Sequence, residues 1–315
     1  MKALICGSGA IGIAIGASLI DSGVETTFFA KGKTKDAILN GGIKRIGLFK
    51  EITIPKENVQ VFDKYNTIND SFDYIIISSK TTSNEDIALN LDKNRNLLKD
   101  NGKIVIFQNG WHTDKEFLKY FTKEQVYSAR IITGFERPER NISKITVHAD
   151  PVFIGSLYGF SEDAVKPLAE AIDKSGIPCE TTMEVSKALW AKMLYNCTLN
   201  PLGAVLRVNY GKLADCENSK FIMNNIIDEI FKVMEASNNK SYWNNADEYK
   251  KDFYEKLVPS TYDHRASTLQ DIERKIKTEI DTLTGSIIEL GNKYNIDTPY
   301  NKMMYNLIKS IESNF

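Results

Sequence analysis

Gly7-Ser8-Gly9-Ala10-Ile11-Gly12 follows directly on an apolar run, residues 4–6, and opens a helical pattern over residues 11–22. A G-x-G-x-x-G between a strand and a helix leaves few folds open. The glycines permit a tight turn, let the backbone approach a pyrophosphate, and let helix and sheet pack closely. Free N–H groups and the helix dipole then face the phosphates. A glycine-rich turn without a ligand is the alternative, and the strand–turn–helix context argues against it. The leading apolar run is too short for a signal-peptide core and is expected to be the first strand of the mature fold.

The rest of the first half keeps that rhythm. Residues 26–30, 74–78, 103–107 and 126–132 are rich in β-branched or aromatic side chains and bounded by Gly, Asn or Asp. Helical patterns such as residues 85–98 fall between them. This alternation predicts a parallel sheet with helices on both faces. Residues 145–148 and 152–154, separated by Asp150-Pro151, are expected to form a hairpin at the sheet edge. Beyond Gly176-Ile177-Pro178 the pattern is helical throughout, over residues 185–206, 219–237, 245–257, 267–294 with an interruption, and 300–313. The expected fold is α/β: a Rossmann-type parallel-sheet domain over residues 1–180, then an all-α substrate and catalytic domain over residues 181–315.

Composition narrows the function classes. Lysine and arginine total 40 against 41 acidic residues, a formal net charge of −1, which gives no electrostatic case for nucleic acid or an anionic membrane. No apolar run approaches the roughly 20 residues needed to span a bilayer. Cys6, Cys179, Cys197 and Cys216 lack any CxxC spacing, so unpaired thiols in a reducing, cytoplasmic compartment are expected. His112, His148 and His264 are too scattered to predict a metal site.

Ligands of open α/β sheets bind beyond the C-terminal ends of the strands. The second strand ends Phe28-Phe29-Ala30-Lys31-Gly32-Lys33, without the acid that would take the ribose 2′-hydroxyl of NAD. Two lysines suit a 2′-phosphate, although lysine lacks arginine's fork, and solvated surface lysines are the plain alternative. The missing acid favours NADPH. Later strand ends deliver Ser79-Lys80 and Gln108-Asn109-Gly110. Lys80 and Asn109 are therefore expected toward the nicotinamide or the substrate, against the alternatives of a surface lysine and a turn asparagine.

Lys192, Asn196 and Asn200 recur every four residues, which places a cation and two amides on one helical face. Met193, Leu194, Cys197 and Leu199 between them predict burial, where polar groups need partners. Those partners are either a small polar ligand or an internal network. Pro201 is expected to kink the helix and bias Asn200 out of helical geometry. On one straight helix Ser267 and Glu279 would stand about 18 Å apart. However, Ser267-x-x-Gln270 and Thr278-x-x-Asp281 each resemble a capping box, which predicts two helices with a break near residues 275–277. Ser267 as a plain N-cap and Glu279 as an acid favoured by the helix dipole stay open alongside a ligand-binding role.

Over nearly its whole length the chain resembles the 2-dehydropantoate 2-reductase (ketopantoate reductase) family. The motifs that carry the likeness are the glycine loop, Lys80, Gln108-Asn109-Gly110, Lys192-x-x-x-Asn196-x-x-x-Asn200-Pro201, and Ser267-x-Leu269-Gln270-Asp271 through Thr278-Glu279-Ile280-Asp281. The resemblance implies NADPH-dependent reduction of a 2-keto acid, ketopantoate, to (R)-pantoate. It implies Lys192 as the general acid, Glu279 as its support, and Asn196, Asn200 and Ser267 as substrate ligands. Asn109 and Lys80 would line the nicotinamide side, and Lys31 would face the 2′-phosphate. It implies a small 2-keto acid as partner, while charge and hydropathy already predict no nucleic acid and no membrane, and a homodimer is the assembly allowed for.

The chain departs from the family pattern in four places. Lys275-Ile276-Lys277 replaces the frequent Gly-Arg-Pro, Trp111-His112 is bulky, Lys31 stands where arginine is common, and residues 134–150, with Arg137, Arg140 and His148, fit poorly. The rival readings are a reductase of another 2-keto acid, which these departures keep open, a β-hydroxyacid-dehydrogenase-type oxidoreductase, and a catalytically silent dinucleotide sensor. Asn200-Pro201 and the 278–281 motif count against the dehydrogenase. Retention of Lys192, Asn196 and Glu279 together counts against the sensor.

Overall fold

The computed structural model describes every residue, Met1–Phe315. The chain forms two compact units, Met1–Gln108 with Thr113–Val185, and Asn109–His112 with Ser186–Phe315. The second unit is therefore not one continuous stretch of sequence, because it takes four residues from the middle of the first half.

The first unit contains strands β1 (Lys2–Cys6), β2 (Glu25–Phe29), β3 (Ile43–Gly47), β4 (Ile52–Ile54), β5 (Gln60–Phe62), β6 (Phe72–Ile77), β7 (Leu98–Ile106), β8 (Val126–Glu139), β9 (Ile142–Gly155) and β10 (Cys179–Thr181). Its helices are α1 (Ala10–Asp21), α2 (Gly32–Gly41), α3 (Asn84–Lys93) and α4 (Lys166–Lys174). The strands make one sheet in the order β4-β3-β9-β8-β7-β6-β1-β2-β5, with β10 beside β9. From β5 to β8 every pairing is parallel, as the alternation predicts. The β8–β9 and β3–β4 pairs are antiparallel, so the sheet as a whole is mixed.

β1 shows why this sheet is buried on both faces. Ala3 and Ile5 enter one core with Ile13 and Ile172, while Leu4 and Cys6 enter another with Ile87 and Leu91. A strand covered on both sides has a continuous apolar run rather than an alternation.

The expected hairpin is corrected. Asp150-Pro151 lies inside β9, and the chain reverses at Arg140-Asn141 between two 14-residue strands. Proline has no N–H to give a ladder, and the β8–β9 register shifts between Arg130 and Ile132, opposite this point.

The second unit is helical, with α5 (Val185–Leu206), α6 (Tyr210–Ala214), α7 (Glu217–Ala236), α8 (Ala246–Asp252), α9 (Ser267–Glu273), α10 (Thr284–Lys293) and α11 (Pro299–Glu312). Trp190, Leu194, Ile226, Ile230, Tyr249 and Phe253 are fully buried in it. Pro201 lies within α5 and does not end it, so Asn200 stays helical, against expectation.

The break after α9 does form near residues 275–277. Lys275 takes φ +53°, its N–H donates to Ile272 O (3.0 Å), and Ile276 N–H donates to Asp271 O (2.9 Å). This pair of bonds is a Schellman cap built on lysine instead of glycine. Neither capping box forms. Ala266, not Ser267, is the N-cap of α9. Thr278 donates from its N–H and hydroxyl to Glu312 (2.7 and 2.6 Å), and Asp281 accepts from Tyr305 (2.7 Å) and Lys309 (3.2 Å). Long-range partners for these side chains have displaced the local ones.

Candidate active site

A cavity of about 320 Å³ opens in the α/β unit over the glycine loop, lined by Gly7, Ser8, Gly9, Lys31, Thr34 and Arg137 among others. Gly7 sits at φ +111°, and a Cβ there would lie 2.3 Å from the Ser79 nitrogen. A Cβ on Gly12 would fall 2.0 Å from Gly7 O, so that glycine seals the loop to α1. Gly9 differs, because its Cβ would meet nothing nearer than Ser78 O at 4.0 Å. The loop is packed below and open above Gly9, which is the N-cap of α1 and brings that helix's first N–H groups to the cavity. These residues fit a dinucleotide pyrophosphate. Ala10 and Ile11 form the first turn of α1, where Ile11 packs on the core.

Ser8 Oγ donates to Phe29 O (3.2 Å) and ties the loop to the end of β2. Lys31 is the exposed N-cap of α2, with its Nζ 5.6 Å from the Phe29 ring centre. The first turn of α2 carries no acid. The one lining carboxylate is Asp86, which comes with Asn90 from α3. Lys80 follows Ser79 but is not among the lining residues. Gln108 is buried and exchanges amide bonds with Asn84 (2.7 and 2.9 Å), which pins the end of the β7 segment.

Arg137, from β8, was not expected here. Its Nη2 donates to Ser8 O (2.9 Å), Thr34 Oγ1 (3.1 Å) and Arg140 O (2.5 Å). It thereby joins the glycine loop to the first turn of α2. Sequence reading marked residues 134–150 only as irregular, and no local pattern points Arg137 at this loop.

The second cluster lies in the helical unit. Lys192 Nζ on α5 donates to Asn109 Oδ1 at 2.5 Å, and Asn109 Nδ2 donates to Glu279 Oε2 at 3.3 Å. Ammonium groups only donate and carboxylates only accept, so these two neighbours fix the amide's orientation. The turn that carries Asn109 is held just as firmly. Trp111 N–H donates to Thr282 O (2.8 Å), Ser286 Oγ donates to Trp111 O (3.1 Å), and the Trp111 ring packs 4.9 Å from Trp190. Gly110, at φ +112°, brings the backbone so close to Thr282 that a Cβ would lie 2.5 Å from its carbonyl oxygen.

Asn196, one turn beyond Lys192, is half-buried, and its amide bonds to no other side chain. Asn200 is 2% exposed and accepts a bond from Tyr210 Oη (2.5 Å). Burial pushes the Tyr210 phenol well above its ordinary pKa, so it stays a donor. The oxygen of Asn200 has thus taken an internal partner, one of the two kinds the helical spacing kept open. Ser267 is exposed at the first residue of α9.

Residues 3–158 match the family profile "Ketopantoate reductase PanE/ApbA", and residues 184–312 match its C-terminal domain. The 2-dehydropantoate 2-reductase of Aquifex aeolicus is 40% identical over 313 residues, covering 99% of this chain and 97% of that protein. The enzyme of the same name from Archaeoglobus fulgidus is 25% identical over 313 residues, covering 98% and 97%. Among solved structures, a PanE/ApbA family ketopantoate reductase from Ralstonia eutropha superposes with a TM-score of 0.86 at 25% identity, over 100% of this chain and 99% of that one. D-mandelate dehydrogenase bound to NADH and anilino(oxo)acetate shares the fold, with a TM-score of 0.86 at 22% identity and the same coverage. With both family domains matched in order and a close relative aligned end to end, the chain belongs to the ketopantoate reductase family.

Proposed function

We propose that this protein reduces the 2-keto group of 2-dehydropantoate to the alcohol of pantoate, a step toward pantothenate, with NADPH as the hydride donor. The observation that carries this reading is the Lys192–Asn109–Glu279 chain, a cation held by an amide that a carboxylate orients. Bound at the glycine loop, the nicotinamide cofactor supplies the hydride that C2 of the keto acid accepts. Lys192 gives its proton to the ketone oxygen and regains one from solvent. Asn109 aims the ammonium, and Glu279 keeps Asn109 from rotating. Asn196 offers an uncommitted amide to the substrate. Asn200, with its oxygen occupied by Tyr210, offers its N–H group. The exposed Ser267 hydroxyl meets the carboxylate.

For the cofactor, Lys31 at the N-terminus of α2 and the absence of an acid after β2 support NADPH. A second reading, NADH, is favoured by Asp86, which lines the same cavity and is able to accept from a ribose hydroxyl.

The test is NADPH oxidation across a panel of 2-keto acids, repeated with NADH. A site with polar groups left unpaired by the wrong substrate rejects it by up to ~10⁴–10⁵-fold, whereas an apolar methylene is worth only ~10–200-fold. Ketopantoate is therefore expected to exceed 2-ketoisovalerate, which lacks its hydroxymethyl group, by more than about 10²-fold in kcat/KM. Equal turnover of the two acids would leave a keto acid reductase but not this substrate. Equal use of both cofactors would remove the NADPH assignment.

A further inference from the structure

Arg137 is a guanidinium half-withdrawn from water with no carboxylate against it. Its Nε and Nη2 donate only to neutral oxygens, those of Ser8, Thr34 and Arg140, and its Nη1 donates to no atom of the chain. The adjacent carboxylate in sequence, Glu136, faces Lys144 at 3.8 Å. Burial and the neighbouring Arg140 both push the Arg137 pKa down, the signature of a cation that lacks a counter-charge. A partly desolvated charge is costly unless an anion completes it.

The surroundings say which anion. Arg137 lines the dinucleotide cavity together with Lys31 and Thr34, and Thr34 is the third residue of the ten-residue helix α2. Lys31, its N-cap, follows β2 by two residues. The end of β2 is where the adenosine ribose lies in this class of fold. Two cations and the acid-free N-terminus of α2 therefore converge beside the ribose 2′ position, while the glycine loop serves the pyrophosphate.

We propose that Arg137, carried in by the β8–β9 hairpin, is a specificity-determining residue that binds the cofactor's 2′-phosphate through Nη1, with Lys31 as the second cation. The proposal rests on the NADPH reading above. It adds an always-charged planar guanidinium whose Nε and Nη2 are anchored by the chain while Nη1 is offered to the phosphate, which a flexible lysine alone does not supply at this strand end. It also gives a role to the irregular residues 134–150, as a clasp whose register places Arg137 over Ser8 and Thr34.

The test is calorimetric titration of the full chain with 2′,5′-ADP and with 5′-AMP, two probes that differ only in the 2′-phosphate. Hydrogen bonds to charged groups are worth about 1.5–3 kcal/mol, or roughly 10–150-fold in affinity. Arg137→Met is expected to weaken 2′,5′-ADP by that factor while 5′-AMP changes by less than about threefold. Arg137→Lys, which keeps the charge without the anchored guanidinium, is expected to fall between wild type and Arg137→Met, and it serves as the readout should the methionine variant fold poorly. Equal losses for both probes would make Arg137 a loop clasp or a pyrophosphate ligand and overturn the inference. Unchanged binding of both would overturn it too. A wild-type protein that does not distinguish the probes would bring down the NADPH reading itself. A wild type that distinguishes them, beside an Arg137→Met variant that still does, would bring down only the role of Arg137.

Discussion

Asn109 holds its place through two bonds of opposite polarity, and this makes the Lys192 ammonium a directed donor. Each partner fixes one end of the amide, and the Gly110–Trp111 turn fixes its backbone. General-acid catalysis typically contributes about 10²–10⁴-fold, so Lys192→Ala is expected to lose that much in kcat with its nucleotide affinity intact. Near-normal turnover by that variant in steady-state kinetics would remove Lys192 from the proton path. The candidate site residues that stand on a regular element could be singled out from the sequence. Lys192, Asn196 and Asn200 follow from helical spacing alone. The bond between Asn109 and Glu279 was not legible, since 170 residues separate them and no local pattern encodes their meeting. Nor was the capture of Asn200 by Tyr210, because the sequence gives no way to choose between a ligand and an internal partner.

Among elements, the long helices α1, α5, α7 and α11 were read to within about two residues, whereas α3 was drawn too long and the short α2, α4 and α6 were not read at all, because so few turns hold too little of a helical repeat. The β8–β9 hairpin was misread because its pairing carries four register shifts, each of which breaks the two-residue alternation. The same shifts hid Arg137. The hairpin also holds His148, whose ring nitrogen lies 3.0 Å from Thr133 Oγ1. Burial lowers its pKa from the ordinary 6.5, with Asp150 opposing and Arg130 reinforcing. As pH falls below 6.5, the unfolded chain takes up this proton before the folded chain does, so acid favours unfolding in that window. The stability difference between wild type and His148→Gln, measured by urea unfolding, is expected to shift against the wild type from pH 7.5 to pH 5. A constant difference would show that His148 does not couple to folding. At the end of α9, Lys275 pays the left-handed penalty that glycine avoids. An L-residue in that conformation costs roughly 1–2 kcal/mol, partly offset by glycine's greater chain entropy when unfolded. Lys275→Gly is expected to raise stability by about 0.5–1 kcal/mol in the same assay, and a loss would mean the side chain contributes something the cap geometry does not show.

At the scale of the molecule, the sequence's two-part character was plain in its change from alternating to purely helical patterning. What it concealed is the membership of Asn109–His112 in the helical unit. Trp190 is fully buried, and Trp111 is the ring packed against it. A fragment spanning Ser186–Phe315 lacks Trp111, whose backbone is anchored by donating to Thr282 O and accepting from Ser286 Oγ. Losing a buried large aromatic costs about 3–5 kcal/mol. The fragment alone is therefore expected to bind a hydrophobic dye and to lose the near-ultraviolet circular dichroism of its tryptophans. A fragment with a native-like spectrum and no dye binding would show that the four residues are dispensable. Recombination between relatives faces the same constraint. A crossover at residue 185 would inherit Lys192 and Glu279 from one parent and Asn109, Gly110 and Trp111 from the other, so a productive chimaera must carry a four-residue insert across the junction.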